Sequence, residues 1–171
     1  ALAAYLLGAA GAALLYAFVL ERGTALWPAE ALVTLEPALA CNVGLVLVFA
    51  VQHSGMARPG VQDRFGALGR SLYVACSGIA AAVMVLLWQP LPGDPLWRGP
   101  VWIAGLSVAA ALGLGACCAG FDHASFLGLT QAWTGQAVVS TPLRTDGPYR
   151  VVRHPLMLCL LAALWAQPIM P

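Results

Sequence analysis

Lysine is absent from this chain: all eight basic residues are arginine. Charge of either sign is scarce, at 9% of residues, where soluble domains carry about 25%. With 61% hydrophobic residues and a mean hydropathy of +0.83, that scarcity excludes an ordinary soluble domain and leaves an integral membrane protein. A formal net charge of +1 and the lack of any basic stripe with interleaved aromatics leave nothing for nucleic acid to bind. Cys-x-x-Cys pairs are missing too. The five cysteines (Cys41, Cys76, Cys117, Cys118 and Cys159) all sit in apolar runs, where cysteine packs as a small hydrophobe. Neither a disulfide framework nor a metal site is expected from them.

Apolar length is what the chain has in abundance. A membrane span needs about 20 mostly apolar residues. Residues 1–20 qualify and lack the charged leading region of a signal peptide, so they read as a true span. Pro37–Val51 is a second span, extended by Gln52, His53 and Ser54, and Ser71–Trp88 is a third. The loop Gln89–Pro100, with Pro90, Pro92, Pro95 and Pro100, closes the third span, and Val101–Gly120 is the fourth. Thr24–Glu36, carrying Pro28, Glu30 and Glu36, reads as an external connection. Leu156–Ala166 opens a fifth apolar segment of 11 residues. At about 1.5 Å per residue it is too short to cross alone. Gln167-Pro168 suggests a turn after it, so this piece reads as one arm of a helical hairpin. The expected fold is therefore all-α, a single membrane-embedded domain over residues 1–171 with about five spans. The chain starts at Ala1 without methionine and stops at Pro171 just after an apolar segment, so both ends are expected to be cut.

Arginine placement gives an orientation. Arg58, Arg64 and Arg70 lie between spans two and three, and Arg144, Arg150 and Arg153 follow span four. The alternate loops hold only Arg22 and Arg98. That asymmetry puts the first set and the N-terminus in the cytoplasm. Within span four, Gly105, Ala109, Gly113 and Cys117 recur at four-residue spacing, with Ala111, Gly115 and Ala119 on a neighbouring row. Small residues on one row let helices approach closely in lipid.

Ionisable groups near the membrane carry the functional candidates. Asp122 and His123 follow span four directly, and Gln131 lies further along the same semi-polar stretch. Asp122 is placed either as the N-cap of a following helix, with Ser125 three residues on, or as a direct ligand group. Gln52 and His53 end span two at the cytoplasmic level, where interfacial hydrogen bonding suits them. Asn42, inside span two, is expected to bond across helices. His53, His123 and His154 also lie on the cytoplasmic side, but none sits deep in a span as an axial haem ligand would.

The densest cluster is Gly147-Pro148-Tyr149-Arg150-Val151-Val152-Arg153-His154-Pro155, set directly against the last apolar run. Pro155 has a fixed φ and no N–H, which suits the first turn of a helix. Arg153 and His154 then stand at the positive end of a helix dipole, beside unpaired backbone N–H groups. Such a corner attracts carboxylate or phosphate.

That segment, continued by Leu156-Met157, resembles the Gly-x-Tyr-x-x-Val-Arg-His-Pro-x-Tyr signature of the isoprenylcysteine carboxyl methyltransferase superfamily, with Met157 where tyrosine is frequent. Gln52-His53-Ser54-Gly55-Met56-Ala57, Arg70-Ser71-Leu72-Tyr73-Val74-Ala75-Cys76 and Phe121-Asp122 followed by Leu127-Gly128-Leu129-Thr130-Gln131 are similar to the Nurim-like branch. That branch includes bacterial methanethiol S-methyltransferases, whose tail resembles Leu164-Trp165-Ala166-Gln167-Pro168-Ile169-Met170. The resemblance implies a polytopic methyltransferase using S-adenosylmethionine, with Tyr149, Arg153, His154 and Pro155 at the cofactor, joined by Gln131. It implies a site facing the cytoplasm, most simply in a bacterial inner membrane. The partners it implies are the lipid bilayer and a small apolar thiol or a lipidated substrate.

The residues themselves fit this chemistry. Methyl transfer is an in-line displacement, so the protein chiefly positions its reactants. The cofactor's carboxylate suits a guanidinium or a helix N-terminus, and Arg153 at this corner offers both. A thiol needs only to lose a proton, for which Asp122, His123 and His154 are the candidate bases. The sequence does not choose among them.

Overall fold

The computed structural model describes residues 2–20, 34–94, 97–120, 122–136, 145–166 and 168–170. Arg22, Arg144, Gln167 and the expected connection up to residue 33 lie outside them. The described chain is almost wholly helical, as expected: α1 (Leu2–Leu20), α2 (Leu35–Met56), α3 (Pro59–Gln62), α4 (Gly69–Leu87), α5 (Trp102–Ala119), α6 (His123–Phe126), α7 (Leu129–Thr134) and α8 (Pro155–Trp165). A 3-10 stretch, Asp63–Leu68, joins α3 to α4, and a second, Gly147–Arg150, precedes α8. Residues 35–56, 59–87 and 102–119 are each long and apolar enough to cross a bilayer, while α1 and α8 are shorter apolar helices. Helix α2 starts before Pro37, which sits in its first turn, where an N–H would go unbonded in any case.

The chain divides into two compact units that interleave along the sequence. Unit 1 takes residues 1–92 and 122–139, and unit 2 takes 93–121 and 140–171.

In unit 1, α4 is the central helix, with α1 and α2 packed against it. The contact with α1 is made backbone to backbone. A methyl group built on Gly11 would lie 2.5 Å from the Gly78 Cα, and one on Gly78 would lie 2.7 Å from the Gly8 Cα. Neither neighbour is a side chain that can swing aside, so only glycine fits. Close approach of this kind supplies the dispersion contacts that hold helices together where lipid removes the hydrophobic drive. On the other side, α2 offers Asn42, only 3% exposed. Its Nδ2 donates to the Gln89 carbonyl and its Oδ1 accepts from the Gln89 N–H, both at 2.8 Å. The expected cross-helix bond is thus a clamp on the backbone just past the end of α4. Leu39, Val43, Leu47 and Val51 of α2 remain exposed, as suits a helix surface in hydrocarbon.

In unit 2, α5 and α8 pack together through Ser107, Ala110 and Cys117 on α5 and Ala163 on α8. The Ser107 hydroxyl donates to the Ala163 carbonyl at 3.4 Å. Gly113 faces Cys159, whose Sγ would lie 3.0 Å from an added Cβ. The predicted small-residue row therefore contributes Gly113 and Cys117, while Gly105 and Ala109 stay exposed. Helix α8 has the length and position expected for the last apolar segment. Beyond it the chain forms a short strand, β2 (Ile169–Met170), antiparallel to β1 (Trp97–Arg98). The Gly99 N–H donates to the Pro168 carbonyl at 2.7 Å, and Trp97 stacks on Trp165 at 5.8 Å. This two-residue ladder is the one strand pairing among the described residues, and hydropathy alone gave no sign of it.

Two outcomes follow for stability. Gly78→Leu forces side-chain atoms into α1 backbone and lowers stability by about 3 kcal/mol, the upper end for overpacking. Gly44→Ala, with nothing within 4 Å of the new methyl, stabilises by about 0.5–1 kcal/mol. Reversible unfolding of the detergent-solubilised protein in dodecyl sulfate separates the two. Asn42→Ala strands a donor and an acceptor of Gln89 and costs about 2 kcal/mol in the same assay.

Candidate functional site

The Arg-His-Pro corner lies in unit 2. Its 3-10 turn is closed by the Tyr149 N–H on the Asp146 carbonyl at 3.1 Å and the Val151 N–H on the Pro148 carbonyl at 3.2 Å. His154 is the N-cap of α8, with non-helical dihedrals (φ −130°, ψ 61°) and no side-chain capping bond. Pro155 takes the first helical position and is buried. The first turn of α8 therefore keeps unbonded N–H groups at its positive end. Arg150, Arg153 and His154 are exposed around it, and Tyr149 is half-buried. Proline fixes where α8 starts, and that start sets Arg153 and His154 beside the free amides. The arrangement can accept an anion. Within the described residues of unit 2 it is an open corner.

The remaining predicted site residues fall in unit 1. Asp122 is the N-cap of α6, its Oδ1 accepting from the Ser125 N–H at 3.2 Å. Of the two roles open to it from sequence, capping is the one its carboxylate performs. Hydrogen bonds from the Ser125 hydroxyl, then from the Ser125 amide, hold this exposed carboxyl below its ordinary value of 3.8. His123 is exposed beside it. Gln131 is only 9% exposed. Its Nε2 donates to the Ser125 carbonyl at 3.0 Å, while its buried Oε1 has no partner. The candidates thus form two groups: Tyr149, Arg153, His154 and Pro155 in one unit, Asp122, His123 and Gln131 in the other.

Unit 1 also holds a constellation that sequence reading assigned only to interfacial bonding. His53 of α2 stacks on Phe49 with centroids 5.3 Å apart and lies 5.2 Å from the Tyr73 ring of α4. Its Nε2 is 3.0 Å from the Tyr73 hydroxyl, and its Nδ1 is 3.3 Å from the Ser77 hydroxyl. Arg70 continues the ladder, its guanidinium 5.1 Å from the Tyr73 centroid and 5.0 Å from that of Phe126. Arg70 Nε donates to the Phe126 carbonyl at 2.7 Å, and Ser71 Oγ donates to the Gly128 carbonyl at 2.8 Å. Gly128 adopts φ +85°, and a Cβ there would sit 2.6 Å from the Ser71 nitrogen. The turn between α6 and α7 is therefore pinned to the start of α4. Arg70, Tyr73 and Ser77 recur at three- and four-residue spacing, which places them on one helix face. That spacing was the available signal.

Helices of membrane length make this a multi-pass membrane protein, and its helix α8 starts at a proline beside exposed arginine and histidine. The chain belongs to the NnrU protein family, which it matches over residues 42–168. It is 33% identical over 154 residues to methanethiol S-methyltransferase 2 of Bradyrhizobium diazoefficiens, covering 80% of this chain and 57% of that protein. It is 32% identical over 152 residues to nurim of Xenopus laevis (78% and 53%), and 34% identical over 149 residues to human nurim (76% and 57%). The chain thus spans a little over half the length of the curated relatives it matches. These similarities agree with the resemblance to the isoprenylcysteine methyltransferase superfamily. No solved structure matches it.

The Asp122 cap has a pH consequence. A carboxyl held low in the folded state contributes stability above its unfolded value and loses it as pH falls through the folded one. Protection of the Ser125 and Phe126 amides against hydrogen exchange, taken relative to the intrinsic rate at each pH, is accordingly high at pH 7 and falls away below about pH 3.8. Asp122→Ala shows little protection there at either pH. An unchanged rate in the variant at pH 7 counts against the cap.

Proposed function

We propose that this protein is an integral membrane methyltransferase that uses S-adenosylmethionine, acts on a small apolar thiol such as methanethiol, and presents its site to the cytoplasm, in a bacterial inner membrane. The observation that carries the reading is the corner at the start of α8. An exposed guanidinium and imidazole stand there beside free backbone N–H groups, with no side-chain cap competing for them. That donor set fits an amino-acid carboxylate. Arg153 would hold the carboxylate, with the first amides of α8 beside it, and Tyr149 and His154 would flank it. When bound, the cofactor supplies an electrophilic methyl group on a sulfonium centre.

The chain's own residues supply position and a proton acceptor. Of the three candidate bases, Asp122 is the weakest, because its oxygens are engaged by Ser125 and its affinity for a proton is lowered. His154 and His123 are both exposed, and His154 belongs to the corner itself. A thiol dissolved in the bilayer needs no charged pocket to reach it, which suits a protein so poor in charge.

The similarity to nurim favours a second reading, a membrane scaffold without catalysis. Prenylcysteine carboxylate is the other acceptor to try. Titration calorimetry on the full-length protein with S-adenosylmethionine separates enzyme from scaffold, and release of S-adenosylhomocysteine with each acceptor then identifies the substrate. Arg153→Gln weakens cofactor binding about tenfold or more, the cost of one charge-assisted hydrogen bond. Wild-type affinity in that variant, or no binding by the unaltered protein, sinks the assignment.

A further inference from the structure

Arg70 is placed as few arginines at a helix end are. Its guanidinium lies between the Tyr73 and Phe126 rings, and its Nε is anchored on the Phe126 carbonyl at 2.7 Å. A side chain at the end of a span ordinarily samples many rotamers as it snorkels. This one has already lost that freedom, so binding through it forfeits little further entropy. Both Nη groups remain. Among the described residues neither has a hydrogen-bond partner, and the charged neighbours on the adjoining elements, Asp63 and Asp122, form no ion pair with it. A half-buried cation without a counter-ion is costly, and an anion on the Nη fork removes that cost.

The surroundings say where the anion comes from. Arg70 stands in the first turn of α4, where the short α3 and the 3-10 stretch Asp63–Leu68 lead into that helix. Phe65, Leu68, Phe126 and Trp133 are exposed on the elements packed around that end, Trp133 by 84%. Exposed aromatics level with an arginine describe the membrane–water interface, where rings sit among glycerol and headgroups. Arg58 and Arg64, both exposed on the same side of α4 in sequence, add positive charge.

The geometry points to Arg70 as a fixed receptor for the phosphate of an anionic phospholipid, with its Nη fork presented by the Tyr73 and Phe126 rings and the acyl chains lying against the exposed apolar rim. The site belongs to unit 1 and is independent of the methyltransferase reading, which rests on unit 2.

Native mass spectrometry of the full-length protein tests it, with phosphatidylglycerol and phosphatidylcholine offered in equal amounts. The protein is expected to retain phosphatidylglycerol preferentially, and Arg70→Gln to lower that retention about tenfold, the scale of a lost charged hydrogen-bond pair. Arg98→Gln, an exposed arginine of unit 2 outside this site, retains the lipid as the unaltered protein does. Because Arg70 also ties α6 to α4, Phe126→Leu provides a second measurement. It keeps the charge and the backbone carbonyl but removes one ring, and retention is expected to fall severalfold. Equal retention by Arg70→Gln or by Phe126→Leu overturns the proposal. Displacement of the lipid by millimolar inorganic phosphate would transfer the site to a soluble anion and overturn the lipid assignment.

Discussion

Inside a bilayer no water is at hand for a backbone group that a helix leaves unbonded, and each such group must find its partner within the protein. Much of unit 1 answers that demand at the two ends of α4. At one end Asn42 meets both polar groups of Gln89. At the other, Ser71, Arg70 and Gln131 meet the carbonyls of Gly128, Phe126 and Ser125 in turn. The α6–α7 elbow lies where those three side chains require it. Its own two helices, of four and six residues, are too short to persist alone. Side chains that look from sequence like isolated polar intrusions in an apolar helix are the fasteners of the next segment.

Much of this was legible beforehand. Apolar run lengths gave α1, α2, α4, α5 and α8, because a span has to be both long and uninterrupted. Asp122 with Ser125 three residues later gave the α6 cap, and Pro155 gave the start of α8. The glycine contacts were less legible. Gly105, Gly113 and Gly115 of α5 follow a small-residue spacing, yet only Gly113 meets another helix closely within its unit. Gly8, Gly11 and Gly78 have no more regular a pattern, and they bring α1 and α4 into backbone contact. Spacing shows that a helix can be approached. It does not say by which neighbour. The pairing of β1 with β2 was invisible for a related reason, since two residues carry no period and their partner lies far along the chain.

The candidate site was legible as chemistry and only partly as place. Arginine, histidine and proline in succession suggest a helix start, and α8 does begin at Pro155. Gln131 was grouped with that corner through family likeness; its Nε2 ties α7 to α6. The His53–Tyr73–Arg70 ladder was hidden by distance along the chain, although each half was visible on its own helix face.

The β1–β2 ladder has a consequence for biosynthesis. It joins residue 97 to residue 170, so the seam that fastens the two edges of unit 2 cannot form until the ribosome has passed the second of them. Contacts separated this widely are slow to be found, because the intervening chain must first give up its freedom. During translation α5 therefore lacks the partner for its Ser107–Cys117 face until α8 has been made, and surface left open in this way is what chaperones cover.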